Sequence, residues 1–429
     1  ILAAVGSAVG LGNMWRFPYL TAENGGAAFL LLYIVFTIFI GLPVMLGEFS
    51  LGRGAKKSPV EALNHFGGPG WKPLGLLFVL TGFLILAYYG VIAGWTLRYA
   101  LMGLVEGFGV DAAARFEAYA GGWDAVAWQV GFMLVTIAIV GAGVRDGIER
   151  TAMVLMPLLL LIVVGLGLYA ATLSGSGAGY DFYLEPDFSR VLSIQVISDA
   201  ASQAFFSLSL GMGAMLTFSS YLSRDDNLPQ ESVFIAGSDF LIAFLAGIMV
   251  FPIVFALGLS GEVGESAVGA LFISLPEAFG QMGGVGRGVG VLFFAALLVG
   301  ALTSAISLLE VVASSVIDSL GWARRKAAVA FGLVITLFGV PAAFSLDILS
   351  VMDQLAGNVF LIVGGLLLAV FVGWVMPSPE DEIRKGAPDV GWLPLWKGFM
   401  RFVVPVVLAL VLYYSVTDTI TTIRGMLGG

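Results

Sequence analysis

Apolar residues run through this chain in stretches of about twenty or more, each long enough to cross the hydrocarbon core of a bilayer as a helix. The pattern predicts eleven spans, near 1–23, 27–52, 75–104, 126–143, 151–173, 198–222, 232–259, 288–319, 326–344, 347–376 and 396–417. The hydropathy is helical. It lacks the short alternating stretches of an outer-membrane β-barrel. The expected fold class is all-α and polytopic.

Two spans carry polarity where a helix built only to cross lipid would avoid it. Residues 1–24 contain Gly6, Gly10, Gly12, Asn13 and Arg16. Residues 202–221 contain Ser202, Gln203, Ser207 and Ser209 just ahead of Gly211-Met212-Gly213. Polar groups at membrane depth are costly and usually mark a transport path. One Gly-x-Gly is as readily explained by close helix packing. Two of them, in spans one and six, occupy the same place in two sets of five. Paired interruptions of this kind point to an inverted-repeat transporter with its site near the membrane midplane. The organisation predicted is a first five-helix repeat over 1–173, a second inverted repeat over 198–376 and an extra helix over 396–417. Unwinding frees carbonyls, which can replace the hydration shell of a hard cation. It also frees amides, which attract a carboxylate.

Composition narrows the class. The chain is 59% hydrophobic and 11% charged, which excludes an ordinary soluble domain. With the first span started from the cytoplasm, fourteen basic residues fall in inside segments, among them Arg53, Lys56, Lys57, Arg145, Arg324 and Lys326. Five fall outside: Arg98, Arg115, Arg190, Arg287 and Arg424. That bias places the N-terminus in the cytoplasm and the C-terminus outside, in a multi-pass protein of the cell's inner (plasma) membrane. The outer loops are acidic, with Asp111, Glu117, Asp181, Glu185, Asp187, Glu262 and Glu265. A net charge of −9 argues against a nucleic-acid partner. There is no cysteine, and His65 is the only histidine, so thiolate, zinc-thiolate and multi-histidine chemistry are excluded. No catalytic constellation remains, and an enzyme is not expected. A channel would need a repeated filter or a charged ring, and neither is visible. No basic arm precedes the first span, so the native start is expected upstream of Ile1. Arg16 and the missing basic start argue against a signal peptide.

AVGLGNMWRFPYLTAENGG (8–26) and FFSLSLGMG (205–213) resemble the signatures of the neurotransmitter:sodium symporter family. The resemblance covers nearly the whole chain in the same order of spans. Eleven spans rather than twelve is similar to certain bacterial members that carry hydrophobic amino acids. The inverted-repeat rule is itself illustrated by a member of this family, so its fit here is not independent support. The resemblance implies the LeuT-type 5+5 inverted repeat, with helices one and six broken, and two sodium ions. One would be held by Ala8, Asn13, Ser207 and Asp239, together with the substrate carboxylate. The other would be held by Gly6, Val9, Gly300, Thr303 and Ser304. Outside that pattern, adjacent hydroxyls such as Thr303-Ser304 more often bond back to their own helix.

The implied amino-acid site lies between these helices. Leu11, Gly12 and Tyr89 would hold the carboxylate. Ala8, Phe206, Ser207 and Ser209 would hold the ammonium. Ile85, Tyr89, Phe206, Met212, Ser304 and Leu308 would line the side-chain pocket. Packing alone would also account for Tyr88-Tyr89 and Phe205-Phe206. Arg16 and Asp353 match the family's outer gate, with Gln203 beside them, and Asp318 matches half of an inner pair. Glu48 is expected to satisfy backbone groups released by the breaks, and Glu310 to be structural. Gly147 and Pro157 in span five fit either an unwinding segment or an ordinary proline kink.

Three positions refine the function implied. Amine carriers of the family have aspartate where Gly10 stands, so Gly10 implies room for a substrate carboxylate. Met212 stands where the family's type member has phenylalanine, which implies several large hydrophobic substrates. Animal members, which need chloride, have asparagine at Asp239 and serine at Ala243. The resemblance thus implies chloride-independent sodium symport of hydrophobic and aromatic L-amino acids, with proton antiport through Asp239 as an extension. A proton-coupled carrier or uniporter of the same fold is the rival within transport, and an ion channel the rival outside it.

Overall fold

The computed structural model describes residues 2–109, 111–191, 193–259, 267–387 and 389–427. Ile1, Glu262 and Glu265 lie outside them. Among the described residues, nine helices are long and apolar enough to cross a membrane. They are Ala27–Ala55, Pro69–Val105, Gly122–Ala142, Val144–Ala170, Leu228–Ala256, Gly283–Leu320, Arg324–Phe344, Leu346–Val375 and Leu393–Gly425. These correspond to the expected spans two to five and seven to eleven. Several start earlier than hydropathy suggested, because helical hydrogen bonding continues past the apolar run into polar ends such as Lys72 and Arg145.

The remaining two spans are interrupted, as the glycine pattern predicts. Span one is helical over Leu2–Ala8, loses regularity at Val9-Gly10, and resumes through Gly12–Arg16 into Phe17–Glu23. Span six is helical over Ile194–Ser207 and again over Ala214–Ser219. Between those pieces Ser209, Gly211 and Gly213 take positive φ angles of 53°, 74° and 74°. Gly211 is required twice over. Its φ disfavours a side chain, and a Cβ there would lie 2.2 Å from the Leu361 carbonyl of span ten.

Freed backbone in an apolar interior must find partners. Glu48, fully buried on span two, supplies them. Its Oε1 accepts from the Gly211 N–H at 2.9 Å and its Oε2 from the Leu216 N–H at 3.1 Å. This is the service expected of it. Glu310 on span eight is engaged with Arg324 at 2.7 and 3.0 Å and accepts from the Tyr221 hydroxyl at 2.6 Å. It therefore ties span eight to the end of span six and the start of span nine.

Span five is not unwound between Gly147 and Pro157. A widened turn over Val144–Glu149 leads directly into the helix Arg150–Ala170, which contains Pro157. A Cβ at Gly147 would meet the Ile139 carbonyl at 2.0 Å, so this glycine permits close approach to span four.

Candidate ion and substrate site

The break in span one presents Asn13 to spans six and seven. The Asn13 Oδ1 accepts from the Gly10 N–H at 2.8 Å, which closes the break onto itself. Its Nδ2 donates to Ser207 Oγ at 3.1 Å, to the Asp239 carbonyl at 3.0 Å and to Asp239 Oδ1 at 2.6 Å. Ser207 Oγ donates to the same carboxylate, at 2.8 and 3.0 Å. The Tyr33 hydroxyl donates to Asp239 Oδ2 at 2.9 Å. All four side chains are buried.

Among the described residues no lysine or arginine pairs with Asp239. A carboxylate held only by neutral donors in an apolar interior suits a small cation. Asn13, Ser207 and Asp239, expected together, are thus brought together. Asn13 differs from expectation in one respect: the carboxylate draws its donor edge, so its oxygen faces Gly10. Coordination of a cation by that oxygen requires the amide to turn. Tyr33 was not anticipated, since a tyrosine in an apolar run reads as packing.

The second expected cluster lies where span one crosses span eight. Thr303 Oγ1 is 3.0 Å from the Gly300 carbonyl, 3.2 Å from that of Val299 and 3.3 Å from that of Val9. Gly6 packs directly on Thr303, whose Cβ would lie 3.4 Å from an added Cβ. Ser304 Oγ is 3.4 Å from the Ser7 carbonyl. Gly6, Val9, Gly300, Thr303 and Ser304 therefore share one place, and all its oxygens are neutral. The Thr303 hydroxyl bonds back to its own helix, as adjacent hydroxyls more often do, and also reaches the Val9 carbonyl of the broken span. The room expected at Gly10 is filled. A Cβ there would meet Ser304 Oγ at 2.0 Å and the Gly300 carbonyl at 3.3 Å, so this glycine lets spans one and eight touch.

Between the two breaks lies a narrow cavity of about 20 Å³. Ala8, Gly12, Ile85, Tyr89, Phe206, Ser207, Ser209, Met212, Ser304 and Leu308 line it, all expected. Leu11 is not in that lining; its N–H donates to the Tyr89 hydroxyl at 3.4 Å. Ser7, which was not anticipated, is part of it. The Ser209 hydroxyl, expected to face an ammonium, donates to the Ser7 carbonyl at 2.9 Å.

A larger cavity of about 250 Å³ opens at the acidic end of the bundle, lined by Arg16, Glu23, Asp199, Asp353, Asn358 and Asp418 among others. Arg16 and Asp353 both face it, but the ion pair expected between them is not made. Arg16 donates to Gln203 Oε1 at 3.2 Å and to Asn358 Oδ1 at 2.6 Å, and lies 4.9 Å from the centre of the Phe206 ring. Asp353 accepts from the Tyr88 hydroxyl at 2.7 Å. Tyr88 thus supplies the donor that Arg16 was expected to supply. Gln203 sits beside Arg16 as expected and donates to the Gly12 carbonyl at 3.0 Å. Asn358 was missed, although a lone amide within LAGNVF (355–360) was a visible signal. At the basic end, Asp318 accepts from the Ser58 N–H at 2.6 Å. A third cavity there, about 150 Å³, includes Ala3, Ala4, Glu149 and Glu231 in its lining.

Comparison with known proteins agrees with this arrangement. The model of the sodium:neurotransmitter symporter family matches residues 1–110 and 120–424. An uncharacterized sodium-dependent transporter of Haemophilus influenzae is 34% identical, over 97% of this chain and 96% of its own length. The uncharacterized sodium-dependent transporter YhdH of Bacillus subtilis is also 34% identical, over 96% of this chain and 94% of its own. Among solved structures, that of MhsT in complex with L-phenylalanine superposes with a TM-score of 0.89 at 41% identity, over 96% of this chain and 97% of that one. Long apolar helices, two of them broken around a buried carboxylate, and a family match along almost the whole length lead to one assignment: the chain belongs to the sodium:neurotransmitter symporter family, as a multi-pass membrane protein of sodium-coupled transport and not an enzyme.

Proposed function

We propose that the protein takes up large hydrophobic and aromatic L-amino acids together with sodium, by alternating access. The lining of the cavity between the two breaks carries this reading; at about 20 Å³ the cavity must widen to admit a side chain of that size. Its side-chain walls are Ile85, Phe206, Met212 and Leu308, and no charged side chain lines it. An acidic or basic substrate side chain would be buried there unpaired, at a cost of several kcal/mol, roughly 2–7 by transfer measurements on polar groups alone. Methionine adapts to differently shaped partners, so several substrates are expected. The L-phenylalanine bound by the similar MhsT supports the same class. Two further cavities, one toward each end of the bundle, suit a site reached alternately from either side.

Two sodium sites are proposed, one at Ala8, Asn13, Ser207 and Asp239, the other at Gly6, Val9, Gly300, Thr303 and Ser304. Asp239 brings a fixed negative charge and Ala243 offers no hydroxyl, so bound chloride is redundant. Asp239 without its cation is a buried charge that proton uptake would remove, which gives a route for proton antiport. The N-terminus is assigned to the cytoplasm and the C-terminus to the outside of the plasma membrane, from the loop charges.

Reconstitution in liposomes tests the reading. Leucine, phenylalanine and tryptophan should enter saturably when sodium is outside, and no slower in gluconate than in chloride. Uptake that persists at full rate in potassium would replace symport with proton coupling or uniport. Non-saturable current would indicate a channel. Dependence of the unmodified protein on chloride would remove the role given to Asp239.

A further inference from the structure

Five residues with polar side chains line the central cavity, and the side chains of four of them are already engaged. Ser207 is bound to Asp239, Ser209 and Ser304 reach the Ser7 carbonyl, and Tyr89 accepts from Leu11. Ser7 is the exception. Its residue is 2% exposed, and its hydroxyl has no hydrogen-bond partner. A serine in a helix ordinarily donates to a carbonyl three or four residues back. Ser7, within Leu2–Ala8, does not. Its own carbonyl is held by hydroxyls from spans six and eight, so the residue is fixed at the place where three spans meet the cavity.

An unpaired buried hydroxyl carries a desolvation penalty, which a matching group removes. A hydroxyl both donates and accepts, so an indole N–H or a phenol O–H would each serve. We infer that Ser7 is a specificity-determining residue: its hydroxyl favours amino acids whose side chains carry a hydrogen-bonding group over otherwise similar ones that lack it. This deepens the amino-acid reading above and rests on it. Phenylalanine and leucine fill the apolar wall but leave Ser7 unpaired, whereas tyrosine and tryptophan fill it and pair. The discrimination is that of a single neutral hydrogen bond, about 5- to 10-fold in affinity. It is far below what a site built around several such bonds achieves.

The experiment is equilibrium competition binding on the purified full chain in sodium. It compares tyrosine with phenylalanine and tryptophan with 1-methyltryptophan, and includes leucine as an apolar control. The unmodified protein should prefer the hydrogen-bonding member of at least one pair by about 5- to 10-fold. Ser7→Ala should bring that ratio to about one, through weaker binding of the hydrogen-bonding member of the pair. Equal affinities within both pairs in the unmodified protein would overturn the inference, and this result needs no variant to fold. A ratio that survives Ser7→Ala would overturn it too. So would a uniform loss for all ligands, which marks a packing role. Those outcomes leave the amino-acid reading standing. Failure of the unmodified protein to bind any of the five ligands would remove both.

Discussion

The two clusters that meet the broken first span are built on opposite principles. Around Asn13 the partners are side chains, and one of them is the buried carboxylate of Asp239 held by three neutral donors. Around Thr303 there is no carboxylate. The oxygens belong to backbone and hydroxyls, and Thr303 already bonds within its own helix. Charge governs the first place and backbone geometry the second. A carboxylate attracts a cation over several ångströms, and more strongly in a low-dielectric interior than in water. A ring of carbonyls works only at close contact, so it depends on how tightly spans one and eight are pressed together at Gly10 and Gly300.

Breaking that contrast should give graded effects. The largest is expected from Asp239→Ala, which removes the only formal charge of the first cluster. Losing one partner of a buried charged arrangement costs about 3–5 kcal/mol, so half-saturating sodium should rise by roughly 100-fold or more. Asn13→Ala removes one proposed ligand and leaves the charge. It should raise half-saturating sodium by about 10-fold, the scale of one hydrogen bond to an ionised group. Thr303→Ala leaves three carbonyls in place and should cost only about 3-fold, a neutral hydrogen bond's share. Sodium titration of substrate binding measures all three. If Thr303→Ala proved the most damaging, the assignment of charge to one cluster and geometry to the other would be reversed.

The smallest effects on binding are expected around Arg16 and Asp353, the proposed outer gate. Arg16 touches Gln203 and Asn358 rather than Asp353. Asn358→Ala should therefore slow transport in liposomes by several-fold and leave equilibrium binding almost unaltered. Asp353→Asn, which keeps an oxygen for Tyr88, should slow it less. The opposite order would restore the direct ion pair as the working contact.

Much of the site was legible because its residues are out of place. Asn13, Arg16, Glu48 and Asp239 stand in apolar runs, where a polar group must have a partner. Glu48 could be read as serving released amides because a carboxylate has only acceptors to offer. Ser7, Tyr33 and Tyr88 were not read, since serine and tyrosine in membrane helices usually satisfy themselves or pack. Their roles follow from a missing helix bond in the first case and from reaching a carboxylate in the others. The Arg16 partner was misplaced because two side chains of similar reach, Asp353 and Asn358, lie one turn apart on span ten.

The chain by itself determined which segments are apolar enough to enter the bilayer, where two of them break, and that Arg16, Glu48 and Asp239 stand within such segments. Those outcomes depend on hydrophobic transfer and on backbone conformation, which are local and additive along the sequence. Only the tertiary structure decided which oxygen meets which donor. Asn13 and Asp239 are 226 residues apart in the chain, yet their atoms approach to 2.6 Å. Hydrogen bonds tolerate only a few tenths of an ångström in length and act in set directions. Which of several eligible groups makes the contact is therefore fixed by how the helices pack.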